Sequence, residues 1–247
     1  MVYNARPRWL SSFMILPGRC LCCGVNTPNH QDLCGECAIC LPWQNFCCPR
    51  CALPLAAPSE SPCGECQRTP PCFDRAMAPF RYTTPINRLI NDFKHYDRLA
   101  AGRVLGELFC DWLMQKVENE ALTKPDYLLP VPLHWSRLWK RGFNQAQWLA
   151  DDIGKSTGIP VINDGIQRRH TGLAQQALSR RQRQGNLRGA FTINPKRKAR
   201  LENRHIAIID DVMTTGTTAN EITRLLKENQ VAEVSIWAIA RTPKSTE

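Results

Sequence analysis

Residues 206–218 read Ile-Ala-Ile-Ile-Asp-Asp-Val-Met-Thr-Thr-Gly-Thr-Thr, so two carboxylates end an apolar run and a Thr/Gly loop follows at once. In an open α/β sheet, ligands bind beyond the carboxyl ends of the strands. Backbone N–H groups freed by Gly216 can converge there on a phosphate at a helix N-terminus, with hydroxyl donors from Thr214, Thr215, Thr217 and Thr218. Thr218 and Glu221 match a capping box and predict the helix start at that point. Asp210 and Asp211 would repel the phosphate itself, but they suit hydrogen bonds from sugar hydroxyls one ribose length away. The chemistry expected is a ribose 5-phosphate site. It is not a Walker loop, because no Gly-x4-Gly-Lys-Ser/Thr occurs.

A second chemistry is written in the cysteines. Of 13, all but Cys110 precede residue 73. Cys20-x2-Cys23 is followed by Cys34-x2-Cys37, and Cys48-x2-Cys51 by Cys63-x2-Cys66, with Cys-Gly-Glu-Cys closing both sets. This is an internal duplication. Two thiolates three apart fit one tight knuckle, and two knuckles complete a closed tetrahedral S4 site of the structural zinc type. Gly24, Gly35 and Gly64 are expected to supply the tight backbone. Two structural Zn2+ ions are expected in place of disulfides, and segments this small depend on metal to fold. Cys22, Cys40, Cys47 and Cys72 are spare, and Cys37-x2-Cys40 is itself a legal knuckle, so the register stays open. Cys110 is expected in the core.

These residues need elements to position them. Pro70-Pro71 closes the cysteine region, so residues 1–75 are expected as one module and 76–247 as a second domain. In the second, strands are predicted over 76–82, 126–131, 206–210 and 234–240. Helices are predicted over 99–118, over 219–228 and from residue 146 to an end near Gly158-Ile159-Pro160, from apolar residues at helical spacing. Alternating strands and helices indicate an α/β domain with a largely parallel sheet. Residues 168–185 lack strong periodicity and fit either a helix or a mobile loop. No apolar run approaches the roughly 18 residues that span a bilayer. The patch 9–16 is short, contains two serines and lacks a small-x-small cleavage site, so a tail packed on the protein or touching a membrane surface is expected over a cleaved signal.

Charge is as uneven as cysteine. The net charge is +10, and residues 137–204 carry 15 Lys and Arg against 4 Asp and Glu. Such a surplus suits nucleic-acid phosphates. Trp135, Trp139 and Phe143 interleave with Arg137, Lys140 and Arg141, a pattern that could stack unpaired bases. Core packing against the sheet is the expectation preferred for these three aromatics.

The strand, acid pair and Thr-Thr-Gly-x-Thr loop resemble the phosphoribosyl-pyrophosphate motif of type I phosphoribosyltransferases. With residues 131–145 (Val-Pro-Leu-His, then Arg137, Arg141, Gly142, Phe143, Asn144 and Gln145), the run from Arg168 through Gln175, Leu178, Arg181 and Arg183 to Asn186, Phe93-Lys94 and the cysteine pairs, the chain resembles the ComF family. The likeness extends to its GntX-like members and runs from about Cys20 to Arg241. It implies a type I phosphoribosyltransferase-like fold, a mainly parallel sheet flanked by helices, behind a small double zinc-ribbon-like module. It also implies phosphoribosyl pyrophosphate with Mg2+, ribose hydroxyls on Asp210 and Asp211, and the 5-phosphate on Thr214, Thr215, Gly216, Thr217 and Thr218. Pyrophosphate would lie on Arg137, Arg141 and Gly142. A flexible hood carrying Thr171, Gln175, Arg181 and Arg183 would close over the ligand. Competence, or use of external DNA as a nutrient, is the implied role, with single-stranded DNA and DNA-uptake machinery as partners. A cytoplasmic location, with peripheral contact at the inner membrane, goes with it. The sequence leaves the acceptor unnamed, and His134 and Asp211 are the alternatives for a catalytic base. In a non-catalytic version the pocket would be regulatory or structural beside a DNA-binding surface.

Overall fold

A computed structural model describes residues 18–28, 31–95, 98–118, 123–169 and 189–244. The elements run β1 (Gly18–Arg19), β2 (Asn26–Thr27), α1 (Gly35–Ile39), α2 (Gly64–Arg68), β3 (Arg75–Met77), β4 (Phe80–Arg81), α3 (Ile86–Phe93), α4 (Leu99–Glu118) and β5 (Tyr127–Pro130). They continue with α5 (Trp135–Arg141), α6 (Gln145–Thr157), β6 (Ile166–Arg168), β7 (Phe191–Ile193), α7 (Lys198–Leu201), β8 (His205–Met213), α8 (Thr217–Glu228) and β9 (Glu233–Arg241).

The central sheet has the order β3-β9-β8-β5, with β4 also on β9, and every pairing in it is parallel. Its axis is the β8–β9 ladder, in register from His205–Glu233 to Met213–Arg241. Residues 206–209 and 234–240 are buried throughout, as strands covered on both faces must be. Their alternation divides the interior in two. Ile206, Ile208, Ile236 and Ala238 pack with Ile222 and Leu226 of α8. Ala207, Ile209, Trp237 and Ile239 pack with Leu105, Phe109, Ile90 and Leu149 of α3, α4 and α6.

The expected strand over 76–82 is two pieces, β3 and β4, with Pro79, which has no N–H to give a ladder, between them. α4 has the expected bounds. α6 ends, as expected, on Gly158 in the left-handed conformation (φ +70). Cys110 is buried. Leu128 bridges Val161 in parallel on the side of β5 away from β8. The chain therefore leaves β5 in one direction and β8 in the other, which opens a crevice at the carboxyl edge between them. β6 and β7 form a separate antiparallel ribbon flanking residues 170–188. Thr171, Gln175, Arg181 and Arg183 lie outside the described residues, as does the patch 9–16.

Two helix ends bring charge toward the crevice. Phe93, fully buried, packs against Phe143 and Trp148 at centroid distances of 5.6 and 5.3 Å, and Gly102 leaves no room for a Cβ beside its ring. That anchors the C-terminal end of α3 and with it Lys94. α5 ends on Gly142 (φ +78), whose N–H donates to the Leu138 carbonyl.

Candidate functional site

β8 extends to Met213, so Asp210 and Asp211 belong to the strand and do not follow it. The Asp210 carboxylate accepts from the Asp211 N–H at 2.9 Å, and Asp211 accepts from the Val212 N–H at 2.8 Å. Lys94 Nζ lies 3.5 Å from the Asp211 carboxylate. Burial and then the neighbouring Asp211 charge push the Asp210 carboxyl well above its ordinary range, only partly offset by Lys94. A single pocket wall unites Asp210, Val212, Thr214, Thr215, Gly216, Thr217 and Thr218 with Val131.

The helix after the loop starts differently from the capping-box expectation. Its N-cap is Gly216, in the left-handed conformation (φ +76), without a side-chain cap bond. Thr218 is already in the first turn, and Glu221 pairs with Arg224 instead of reaching back. Gly216 turns the chain early because it alone takes that φ without strain, and a Cβ there would stand 3.0 Å from the Met213 side chain. The first-turn N–H groups, which a helix cannot satisfy internally, face the loop's own hydroxyls: Thr215 Oγ1 lies 2.8 Å from Thr217 Oγ1 and 3.4 Å from its N–H. Such a turn is chemically fit for an anion.

On the opposite wall, the segment expected as a pyrophosphate loop is the short helix α5, capped by His134, whose Nδ1 accepts from the Ser136 N–H at 3.3 Å. Arg141 is half-buried, donates to Gln145 Oε1 at 2.9 Å, and is pushed down by burial while Asp211 holds it up and Arg137 lowers it. Arg168, at the end of β6, is likewise lowered by burial and by Arg137. Arg137, Arg141, Arg168 and Lys94 are thus within electrostatic reach of one another or of Asp211. Arg168 and Lys94 were visible only as parts of longer motifs, with no local feature marking them for the site. Gly142 ends α5 and is exposed. The expected core packing of the aromatics is overturned for two of the three. Trp139 is 84% exposed and Trp135 50%, on the helix α5, none of whose residues is buried. Phe143 alone turns inward.

The cysteines settle into the duplicated register. Cys20, Cys23, Cys34 and Cys37 form one group and Cys48, Cys51, Cys63 and Cys66 the other, all sulfurs within 4.8 Å of their group mates. Cys23–Cys34 and Cys51–Cys63 are each 3.7 Å apart. The edge of a tetrahedron with Zn–S bonds of about 2.3 Å is about 3.8 Å, so both donor sets fit Zn2+. The Cys37-x2-Cys40 alternative is set aside, since Cys40 belongs to neither group. The duplication extends to the backbone. Cys20 N–H bonds Val25 C=O and Gly24 N–H bonds Cys20 C=O, just as Cys48 bonds Leu53 and Ala52 bonds Cys48. The left-handed positions are Gly24 (φ +76) and Ala52 (φ +53), whereas Gly35 and Gly64 open helices α1 and α2 and turn nothing.

Comparison with known proteins agrees with this division. Residues 140–247 match the model of the phosphoribosyl transferase domain, and residues 12–67 that of the double zinc ribbon domain. The fold and site thus define a phosphoribosyltransferase-type α/β domain carrying a double zinc ribbon. DNA utilization protein YhgH of Salmonella typhimurium is 33% identical over 230 residues, 93% of this chain and 99% of that protein. Competence protein F of Haemophilus influenzae is 34% identical over 180 residues, 72% and 78% of the two chains. The chain belongs to the ComF family. Among solved structures, glutamine phosphoribosylpyrophosphate amidotransferase from B. subtilis aligns at TM-score 0.36 and 20% identity over 55% of this chain and 25% of that one. A purine phosphoribosyltransferase from Pyrococcus horikoshii aligns at 0.34 and 14%, over 56% and 83%. No helix among the described residues is long and apolar enough to cross a membrane.

Two predictions follow from this geometry. Metal analysis should find two zinc ions per chain, falling to one in both Cys23→Ser and Cys48→Ser. Cys48→Ser should lower the thermal midpoint more, because Cys48 lies inside the sheet's own apolar core. The second concerns pH. A carboxyl raised in the folded state costs nothing below its unfolded pKa, and the cost grows as pH rises toward the folded value. Asp210→Asn should therefore raise the thermal midpoint over wild type by an amount that increases as pH rises above about 4; an offset independent of pH would contradict it.

Proposed function

We propose that the crevice binds phosphoribosyl pyrophosphate with Mg2+ and that the protein acts, through that ligand, in the use of external DNA. The observation that carries this reading is the anion-ready turn Thr214–Thr218, held by the left-handed Gly216 one step beyond an acid pair on the same strand. The 5-phosphate would take the turn's N–H and hydroxyl donors. Asp210 and Asp211 would accept from the ribose hydroxyls, with Lys94 balancing the second acid. Arg137 and Arg141 would face the pyrophosphate, and bound Mg2+ would add neutralising charge there. Transfer would break the bond from ribose C1 to pyrophosphate as an acceptor bonds to C1, with the cationic side chains stabilising the charge that leaves. A location in the cytoplasm, with contact at the inner membrane, and a boundary near residue 75 between the two parts belong to the same reading.

A second reading is favoured by one specific observation: the exposed Trp135 and Trp139 share helix α5 with the exposed Arg137 and Lys140. Aromatic faces for bases and cations for phosphates are what unpaired DNA requires. The names of the relatives, a DNA utilization protein and a competence protein, are consistent with it.

Phosphoribosyl pyrophosphate with Mg2+ should raise the thermal midpoint of wild type and leave Asp210→Asn/Asp211→Asn unmoved; no shift of wild type at saturating ligand would refute the pocket. Single-stranded oligonucleotide should bind with strong salt dependence, and Trp139→Ala should weaken it by about 1–3 kcal/mol in fluorescence titration. Equal binding by wild type and Trp139→Ala would remove α5 from the DNA surface.

A further inference from the structure

Arg241 is the last residue of β9 and is only 7% exposed, although it is charged. Its Nε donates to the carbonyl of Cys51, a ligand of the second cysteine cluster, at 3.0 Å. Its Nη1 donates to the carbonyls of Met213 at 3.0 Å, of Thr214, and of Thr242 at 3.2 Å. One buried guanidinium therefore joins a metal knuckle to the last residue of β8 and the first residue of the phosphate turn. In a trans peptide the C=O and N–H point to opposite sides. With the Met213 and Thr214 carbonyls held on the Arg241 side, the N–H groups of Thr214 and Thr215, which are among the residues lining the pocket, face away from it.

Two more contacts join the same pair of regions. Phe73, 1% exposed, lies 3.9 Å from where a Cβ on Gly216 would stand. The Cys72 N–H donates to Asn220 Oδ1, on the helix after the turn, at 2.8 Å. The chain thus leaves the second cluster by running along the back of the turn. The first cluster is joined to the sheet domain elsewhere, through Asp32–Arg103 on α4 at 2.9 Å and Trp43 on Phe80 at 4.4 Å.

We propose that Arg241 is a positioning residue for the anion turn, and that it makes the second metal cluster, but not the first, a structural part of the ligand pocket. The pocket's occupant rests on the function proposed above; the mechanical link does not. The guanidinium suits this task because it offers five donors in a fixed fork. Lysine carries its three donors on one nitrogen and cannot reproduce contacts that Arg241 makes from two, Nε to Cys51 and Nη1 to the turn.

The full-length protein tests this by two readouts. The first is amide hydrogen exchange, without ligand, of Thr242 and Asn220, whose N–H groups bond the carbonyls of Met213 and Gly216 beside and within the turn. Exchange should quicken about tenfold or more in Arg241→Lys and in Cys51→Ser, and stay as in wild type in Cys23→Ser, which disturbs the first cluster equally. The second is calorimetric titration with ribose 5-phosphate, whose affinity should fall about tenfold in Arg241→Lys with both zinc ions retained. Millimolar guanidinium should restore binding to Arg241→Ala but leave Cys51→Ser unrescued, which general destabilisation would not reproduce. Unchanged exchange in Arg241→Lys, or equal effects of Cys23→Ser and Cys51→Ser, would overturn the proposal. Altered exchange with no ribose 5-phosphate binding by wild type would uphold the link and refute the pocket's proposed ligand instead.

Discussion

The parallel ladder between β8 and β9 is the constraint on which the molecule depends. Both strands run nine residues, both are buried on two faces, and they end together at Met213 and Arg241. Everything chemical is attached to that common end. The acids are the last polar positions of β8, the turn is its continuation, and the guanidinium that clamps the turn is the last residue of β9. A slip in register would exchange the two faces of the sheet and also separate Arg241 from the carbonyls it holds. Core packing and site geometry are therefore specified by the same set of backbone bonds.

The electrostatics follow from where that end lies. Two adjacent carboxylates in a half-buried crevice are unfavourable, and the raised Asp210 carboxyl is the measure of it. The fold compensates from a distance, bringing Lys94 from the end of α3 and Arg141 from the end of α5 to the same opening. Strain of this kind, kept at one place by rigid surroundings, is characteristic of binding sites. The net positive charge of the chain thus has two parts, a few cations answering local acids and a larger surface excess.

Much of this was legible from spacing alone. The strand, acid pair and Thr/Gly turn are contiguous, and the cysteine duplication repeats a fixed interval, so each carries its own local signature. The features that escaped are those decided by neighbours far along the chain. Trp135 and Trp139 have the spacing of a helix face that packs inward, yet α5 buries none of its residues. Gly35 and Gly64 look like turn glycines, but the turning positions are Gly24 and Ala52, and a left-handed alanine has no signature in sequence. Arg241 reads as an ordinary charge after an apolar strand; its burial is set by the ribbon that folds over it.

The two ribbons share backbone bonds and donor set but not surroundings. Cys20 alone of the first four is buried, whereas Cys48, Cys51 and Cys66 of the second are, and they lie in the same apolar mass as the sheet. Thermodynamic affinity for a metal is set mainly by the donors, but the rate of its release is set by what must open first. The first ribbon can lose or exchange its ion by a local excursion at the surface. The second would have to open part of the core to do so. Two modules with one donor set thus differ in depth, one presenting its sulfurs at the surface and the other holding most of them within the core.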